Sequence, residues 1–374
     1  MLRVLFAAGG TGGHVYPALA VAGELSSRGG FEALFVGTRA GLEAQVVPAA
    51  GYRIEFIPSR GVRGKGPVGI VTTMAMLAAG TARAARIIAR FRPDVVFGSG
   101  GYASVAAVVA AFPLRRAIVL QEQNSIPGLA NRLLAPLARR IYVGFESALE
   151  RLGGGERVLL TGNPLRRSVC ASRDPAARSA FGLDENMPVL FVFGGSQGAA
   201  RLNRAAARFL RARDDVQGIV QTGARGYETV RAELAAAGRR VFVSPYIENI
   251  ETAYAAADVA LARAGALSVS ELAAARLPAV LVPYPFAADD HQSGNARVLV
   301  EAGGAVLIDD DELDETTLAA AVDGMLARPA RLEAMRAALA RVARPDAAAQ
   351  VADDIERLAL RARGRRGGGG KDGP

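Results

Sequence analysis

Three glycine-rich turns in the 374-residue sequence carry groups that could hold phosphate. Gly9-Gly10-Thr11-Gly12-Gly13-His14 follows the apolar run Leu2–Ala8 and precedes a helical stretch expected to begin near Pro17. Gly194-Gly195-Ser196-Gln197-Gly198 repeats the device behind Val189–Phe193, with Ser196 as an added hydroxyl donor. Gly265-Ala266-Leu267-Ser268-Val269-Ser270-Glu271 stands behind Val259–Ala262. Glycine lets the chain turn sharply and lets backbone amides approach an anion with no Cβ in the way. A helix N-terminus adds favourable partial charge, ~0.3–1 kcal/mol per interaction. Three such turns, each just after a strand, favour a phosphate-bearing ligand.

The chain has two histidines, and both lie in loop-like motifs. His14 closes the first glycine loop at the C-terminal edge of the expected parallel sheet, where ligands bind in such folds. An imidazole titrates near ~6.5 and suits general-base work contributing ~10²–10⁴ in rate. His291, in Asp289-Asp-His-Gln292, reads equally as a sugar contact or as loop structure. Gly98-Ser-Gly100-Gly-Tyr-Ala103 fits the dinucleotide pattern after a strand, with Glu122 about twenty residues on. The first loop fails that pattern, because Val15 stands where the third small residue belongs. Lys65 lacks the following Ser or Thr of a Walker A motif. Asp309-Asp310-Asp311 reads as a solvated loop rather than a metal site. The single cysteine, Cys170, excludes an intramolecular disulfide framework and a multi-cysteine metal centre.

At ~150 residues per domain the length predicts two domains. Leu2–Ala8, Ala33–Val36, Val95–Phe97, Ala117–Gln121 and Arg140–Val143 read as buried strands, with helical segments such as Pro17–Arg28 and Val68–Phe91 between them. That alternation predicts an α/β fold with a parallel sheet covered on both faces. It restarts at Val189–Phe193 and continues through Gly218–Gln221, Arg240–Val243, Val259–Ala262 and Ala279–Val282. Val4-Leu-Phe-Ala-Ala-Gly-Gly is echoed by Val189-Leu-Phe-Val-Phe-Gly-Gly half a chain later, which predicts two Rossmann-like domains in tandem. The Asn-Pro step in Thr161-Gly-Asn-Pro-Leu-Arg166 favours an extended linker at their boundary. The expected division is 1–162 and 163–343, then a C-terminal helix over 344–363 and a disordered basic tail over 364–374.

The formal charge is 45 − 36 = +9, nearly all of it arginine. It fits nucleic acid, an anionic membrane or phosphorylated substrates. With 6% aromatics, no tryptophan and no RNA-binding motif, the chain lacks a stacking platform, so no nucleic-acid partner is expected. The N-terminal apolar run is too short for a signal peptide. The charge-free stretch Val95 to Leu114 contains Gly98-Ser-Gly-Gly, so it reads as strand, loop and helix rather than a membrane span. Val68–Phe91 sets Ile70, Met74, Met76 and Leu77 beside Arg83, Arg86 and Arg90. That mixture suits either an anionic membrane surface or a core helix with a solvated basic side.

An ordered set of motifs resembles the MurG family of N-acetylglucosaminyltransferases. It comprises Gly9-Gly-Thr-Gly-Gly-His14, Gly100-Gly-Tyr-Ala-Ser104, Glu122-Gln-Asn124, Thr161-Gly-Asn-Pro-Leu-Arg166, Gly194-Gly-Ser-Gln-Gly198, Arg263-Ala-Gly-Ala-Leu-Ser-Val-Ser-Glu271 and His291-Gln292-Ser-Gly-Asn295. The resemblance runs from about residue 2 to 345. It implies a GT-B fold, two Rossmann-like parallel-sheet domains facing across a cleft. It also implies transfer of GlcNAc from UDP-GlcNAc to the 4-hydroxyl of MurNAc in lipid I, giving lipid II, with inversion and with no cofactor or metal. Two positions depart from the family pattern: Gln121 stands where many members have histidine, and the Ala103-Ser-Val-Ala segment lacks a frequent proline.

Carried over by position, the resemblance makes Ser196 and the Ala266–Leu267–Ser268 turn contacts to the donor diphosphate. Glu271 would bond the ribose hydroxyls, and Ile247 would offer its backbone to uracil. Gln292, with His291 beside it, would read the GlcNAc hydroxyls, while Arg166 and Asn124 would contact the donor. Thr11, Gly12 and Gly13 would lie near the transferred sugar. His14, alone or with Glu122, would take the acceptor proton. The implied partners are UDP-GlcNAc, lipid I and an anionic membrane surface, with the enzyme peripheral on the cytoplasmic face of the cell membrane.

Overall fold

Apolar runs too continuous for a solvent-facing sheet become the central strands of two parallel sheets. In the computed structural model, which describes residues 1–59, 67–170, 173–195 and 198–367, the chain divides into two units. The first comprises Met1–Leu165 and the chain from Asp346 on; the second is Arg166–Pro345.

The first unit holds β1 (Leu2–Ala7), β2 (Phe31–Gly37), β3 (Arg53–Phe56), β4 (Val95–Gly98), β5 (Ala117–Glu122), β6 (Arg140–Val143) and β7 (Val158–Leu160). Their order is β3-β2-β1-β4-β5-β6-β7, and every neighbouring pair is parallel. The second unit holds β8 (Val189–Phe193), β9 (Gln217–Gln221), β10 (Val241–Ser244), β11 (Val259–Ala262), β12 (Ala279–Leu281) and β13 (Ala305–Leu307). Their order, β10-β9-β8-β11-β12-β13, is again all parallel. The strands missing from the sequence reading, β3, β7 and β13, are three or four residues long and lie at sheet edges.

Strand order reverses direction beside β1 in one sheet and beside β8 in the other. Each first strand lies between its sequence successor (β2 or β9) and the strand reached by crossing over (β4 or β11). Such a switch point leaves a crevice beyond the strand C-termini. The register Ala7↔Gly98 places the loops after β1 and β4 side by side, and Phe193↔Ala262 does the same for those after β8 and β11. All three glycine-rich turns therefore lie at switch points.

The helix after β1 spans Gly12–Arg28, so it starts five residues before Pro17. Thr11 is its extended N-cap, and Pro17 inside the helix sacrifices one backbone bond while its fixed φ suits the helix. The stretch from Val95 becomes β4 and the helix Gly101–Ala111. Among the described residues no helix is long and apolar enough to cross a membrane.

The C-terminal helix, Ala347–Gly367, packs on the first unit. Val351, Ala352, Ile355 and Leu358 join Phe6, Val21, Leu25 and Tyr142 in one buried cluster. The Tyr142 hydroxyl donates to Asp354 at 3.0 Å, and Arg28 bonds Asp353 at 2.6 Å and Glu356 at 2.9 Å. This helix runs past residue 363, so residues 364–367 of the expected tail are helical, while 368–374 lie outside the described residues.

Candidate active site

At the first unit's switch point, Gly10 takes φ +95° and Thr11 turns the chain into the helix, leaving the Gly12 and Gly13 amides in its first turn. No side chain caps this end. The loop is set from beneath by Glu43, which is fully buried. Its carboxylate accepts from the Gly10 amide at 3.0 Å, the Thr38 amide at 2.7 Å and the Thr38 hydroxyl at 2.8 Å. A Cβ at Gly9, Gly37 or Gly41 would stand 2.9, 2.4 or 2.0 Å from that side chain. These three glycines therefore make room for one carboxylate.

His14 lies in the first helical turn, against the loop after β4. A Cβ at Gly100 would come within 2.8 Å of its ring, and one at Gly101 within 2.5 Å of the Gly9 carbonyl oxygen. The glycines that fit the dinucleotide pattern thus serve the packing of two loops and of His14, at φ +91° and +76°. Burial holds the imidazole below its ordinary value, although Glu122, Gln123, Ser99 and Glu43 all act in the other direction.

Glu122, at the end of β5, is buried with its carboxylate saturated by hydrogen bonds. Oε1 accepts from the Asn124 amide and side chain at 2.9 and 3.3 Å; Oε2 accepts from the Gly128 amide at 3.0 Å and Asn131 at 2.9 Å. Such a carboxylate organises the 122–131 loop and has no free lone pair aimed at a proton to be removed. Gln121 is fully buried, with neither polar side-chain atom hydrogen-bonded.

In the second unit, a Cβ at Gly198 would meet the Thr222 carbonyl oxygen at 2.0 Å, and one at Gly194 would meet Ala199 at 2.4 Å. Ser196 lies outside the described residues, as do the 60–66 segment containing Lys65 and residues 171–172. After β11, the helix Ala266–Ala274 begins behind Gly265 with no side-chain cap and no acidic residue in its first turn. The Ala266, Leu267 and Ser268 amides form that end. Arg263 bonds the carbonyls of Val282 and Pro283, pairs with Asp310 at 2.6 Å and lies over the Tyr284 ring. Asp310 is thus an ion-pair partner, not a solvated loop residue. Among the described residues, no cluster of His, Cys, Asp or Glu could hold a metal ion.

The helix His291–Glu301 is tied to this turn by Asn295, which donates to the Ala264 carbonyl at 3.1 Å. Gln292 accepts the Tyr284 amide at 2.9 Å through its oxygen, which turns its NH₂ into the group available to a ligand. His291 contacts the Ala288 carbonyl through Nδ1 at 2.6 Å, a bond internal to its own loop.

Glu271, on the 266–274 helix, accepts from the buried Tyr254 hydroxyl at 2.9 Å. Burial pushes its carboxyl up to about 7; Tyr254 and Arg166 oppose this and Glu251 reinforces it. Arg166 lies 3.8 Å from Glu251. Ile247 donates its amide to Gln221 at 2.9 Å, so a ligand contact to its backbone falls on the carbonyl.

Residues 4–143 match the glycosyltransferase family 28 N-terminal domain, and residues 189–351 match the family 28 C-terminal domain. The chain belongs to glycosyltransferase family 28. Family 28 relatives include proteins of Chlorobium limicola (42% identical over 96% of this chain and all of theirs) and Methylococcus capsulatus (44%, over 94% and 97%). Both are named UDP-N-acetylglucosamine–N-acetylmuramyl-(pentapeptide) pyrophosphoryl-undecaprenol N-acetylglucosamine transferase. Among solved structures, Acinetobacter baumannii MurG superposes with a TM-score of 0.75 at 28% identity, covering 96% of this chain and all of that one. A UDP-N-acetylglucosamine 2-epimerase, at 17% identity and TM-score 0.66 over 98% of each chain, shares the fold alone. The fold is therefore α/β of the GT-B class, and this family 28 chain is a glycosyltransferase.

The structure gathers Thr11, Gly12, Gly13 and His14 with the loop led by Glu122 and Asn124 at the first unit's switch point. It gathers Ala266, Leu267, Ser268, Glu271 and Arg166, with Gln292 and His291 on an adjoining helix, in the second. Sequence reasoning missed Glu43, Ser99, Gln123, Gln221, Glu251 and Tyr254. For Tyr254 a weak signal existed: Glu251 and Tyr254 stand at i, i+3 just after Ile247, on one face of a short helix.

Proposed function

We propose that this family 28 enzyme transfers GlcNAc from UDP-GlcNAc to lipid I, forming lipid II. The observation that carries the reading is 42–44% identity, over nearly the whole chain, to relatives whose name states that transfer. The two switch-point sites support it, one in each domain matched to the family.

The donor belongs to the second unit. Its diphosphate would sit at the uncapped helix end, on the Ala266, Leu267 and Ser268 amides, with the Ser196 hydroxyl added from the β8 loop. Those donors suit the negative charge that grows on UDP as it leaves, so a metal ion is not required. Glu271 would accept the ribose hydroxyls, the Ile247 carbonyl would face uracil, and the Gln292 NH₂ would read a sugar hydroxyl. Arg166 and Asn124 would bind the donor from the side of the transferred sugar, with His291 holding the loop that carries Gln292.

The acceptor belongs to the first unit, beside Thr11, Gly12 and Gly13. His14 takes the proton from the 4-hydroxyl as its oxygen attacks the anomeric carbon; the bond to UDP breaks on the opposite face, so configuration inverts. Neutral imidazole is the required form, which burial of His14 favours. Glu122 acts through the loop it organises and through its charge, not as a second base.

A lipid-linked acceptor would bring the enzyme to a membrane surface, which the reading takes to be the cytoplasmic face. The helix Pro67–Phe91 packs on Gly101–Ala111, which packs on Leu129–Leu134; Val71, Met74, Val109, Leu129 and Leu133 on them and Phe112, just after the second, are exposed, with Arg132 on the third helix and Arg115 bonded back to Phe112. An apolar surface rimmed by arginine suits an anionic leaflet, at ~1 kcal/mol per charge.

Labelled UDP-GlcNAc incubated with a short-chain lipid I analogue tests the reaction directly. Labelled disaccharide-lipid product is expected. Transfer only to another lipid would replace the acceptor, and epimerised or untransferred sugar would overturn the reading.

A further inference from the structure

The two nitrogens of His14 have different surroundings. Nδ1 is buried without a hydrogen-bond partner, whereas Nε2 is not among the buried unpartnered atoms, and the residue as a whole is half-buried. Nδ1 and Cε1 lie over the turn after β4, each 2.8 Å from where a Gly100 Cβ would stand. The groups beside that turn form a short chain of bonds. Ser99 Oγ donates to the His14 carbonyl at 2.5 Å. Gln123 Nε2 donates to the Ser99 carbonyl and to Ser99 Oγ, both at 3.0 Å.

Those bonds fix the orientation of the Gln123 amide. Its NH₂ is committed to Ser99, and Oε1 is left as a buried oxygen without a hydrogen-bonded partner. Nδ1 and Gln123 Oε1 are thus two buried, unpartnered atoms beside one turn, and the Gln123 side chain and the Ser99 backbone both act to favour the protonated ring. A buried ring nitrogen facing oxygen acceptors carries its hydrogen, and the second nitrogen then keeps the lone pair.

We propose that Gln123 and Ser99 are positioning residues that hold His14 as the neutral Nδ1–H tautomer, with the Nε2 lone pair presented to the acceptor hydroxyl. The role rests on the reading of His14 as general base. A carboxylate in the place of Gln123 would orient the ring equally but would stabilise the imidazolium. An amide oxygen orients it without added charge. Glu122 and Glu43 act on the ring as charges; both favour protonation, and burial outweighs them.

The chain has two histidines, so ¹⁵N-imidazole NMR of the full-length protein reads His14 directly once His291→Gln assigns the other. At neutral pH the expected spectrum shows protonated Nδ1 and unprotonated Nε2. Gln123→Leu is expected to mix the tautomers and to lower kcat by roughly 10–10²-fold, within the ~10²–10⁴ a general base contributes, with KM for UDP-GlcNAc unchanged. Gln123→Glu is expected to keep the tautomer, raise the His14 pKa and move the acid limb of the kcat/KM profile to higher pH. An Nε2–H tautomer in the wild-type protein, or a His14 spectrum indifferent to Gln123→Leu, overturns the proposal without reference to activity. Unimpaired turnover by His14→Ala would instead overturn the general-base reading, and the spectrum would still decide the tautomer.

Discussion

The Tyr254 hydroxyl donates to Glu271 Oε2 at 2.9 Å, so the carboxyl assigned to ribose binding is held by a buried phenol before any ligand arrives. Tyr254 is itself wedged edge-on against Phe191 and Phe193 of β8. The bond therefore ties the 266–274 helix to the first strand of its own sheet.

Because burial raises Glu271 to about 7, donor binding should depend on pH. A protonated carboxyl accepts hydroxyl bonds poorly, and a carboxylate accepts them about twice as strongly. UDP affinity is expected to tighten as pH rises through about 7, read by calorimetric titration from one pH unit below to one above. Glu271→Gln should flatten that dependence. The sign for stability is opposite: a folded pKa above the unfolded value of ~4.3 stabilises most below ~4.3, and the contribution fades as pH rises through about 7. Tyr254→Phe keeps the ring packing, removes the donor and should weaken UDP binding by ~5-fold, the equivalent of ~1 kcal/mol.

Glu43 satisfies three donors in the fully buried floor of the first glycine loop. Glu43→Ala strands those donors, so a loss of roughly 1–3 kcal/mol in denaturant stability is expected. Turnover should fall with it, because the loop carries His14. UDP affinity should stay at the wild-type value, since the residues assigned to the UDP moiety belong to the other unit. A variant with native stability and turnover would remove Glu43 from this role.

Asp354 fastens the C-terminal helix to the first unit. It accepts from Tyr142 and pairs with Arg140 at 3.2 Å and Arg357 at 3.4 Å. Burial and the Asp354 charge hold the Tyr142 phenol well above its ordinary range, so it stays protonated as the donor. Asp354→Ala should cost roughly 1–3 kcal/mol and increase hydrogen exchange in β6, which carries both Arg140 and Tyr142. Exchange confined to the helix end, with β6 protected, would contradict this.

The central strands were legible because Val4-Leu-Phe-Ala and Val189-Leu-Phe-Val-Phe are apolar without alternation, as a doubly covered parallel strand must be. The edge strands were not: Arg53-Ile-Glu-Phe alternates like any half-exposed segment, and β7 and β13 are only three residues long. Pro17 masked the first helical turn, since a proline more often opens a helix than sits within one. The glycine loops announced the sites, but Glu43 reaches Gly10 across 33 positions and Gln221 reaches Ile247 across 26. Such contacts have no local spacing to betray them; they exist only once the sheet has brought two loops together.

The proposed membrane face gives the last prediction. Met74, Phe112 and Leu133 are 55%, 57% and 69% exposed on three adjoining helical segments. Ile70 was expected to contribute, but its side chain lies outside the described ones, and Leu77 packs against the core instead. Moving an exposed side chain of this size into lipid contributes up to ~1.5–3 kcal/mol, so replacing all three by serine should lower vesicle affinity by 10²-fold or more, on the order of 3 kcal/mol. Arg115 and Arg132 should give a preference for anionic over neutral lipid, and their replacement should abolish that preference while leaving apolar binding. Flotation with vesicles of the two compositions separates the effects. The serine variant should keep its turnover on a short-chain soluble acceptor, because none of the three residues belongs to either switch-point site. Equal flotation of wild-type and serine variants would move the membrane contact elsewhere on the protein.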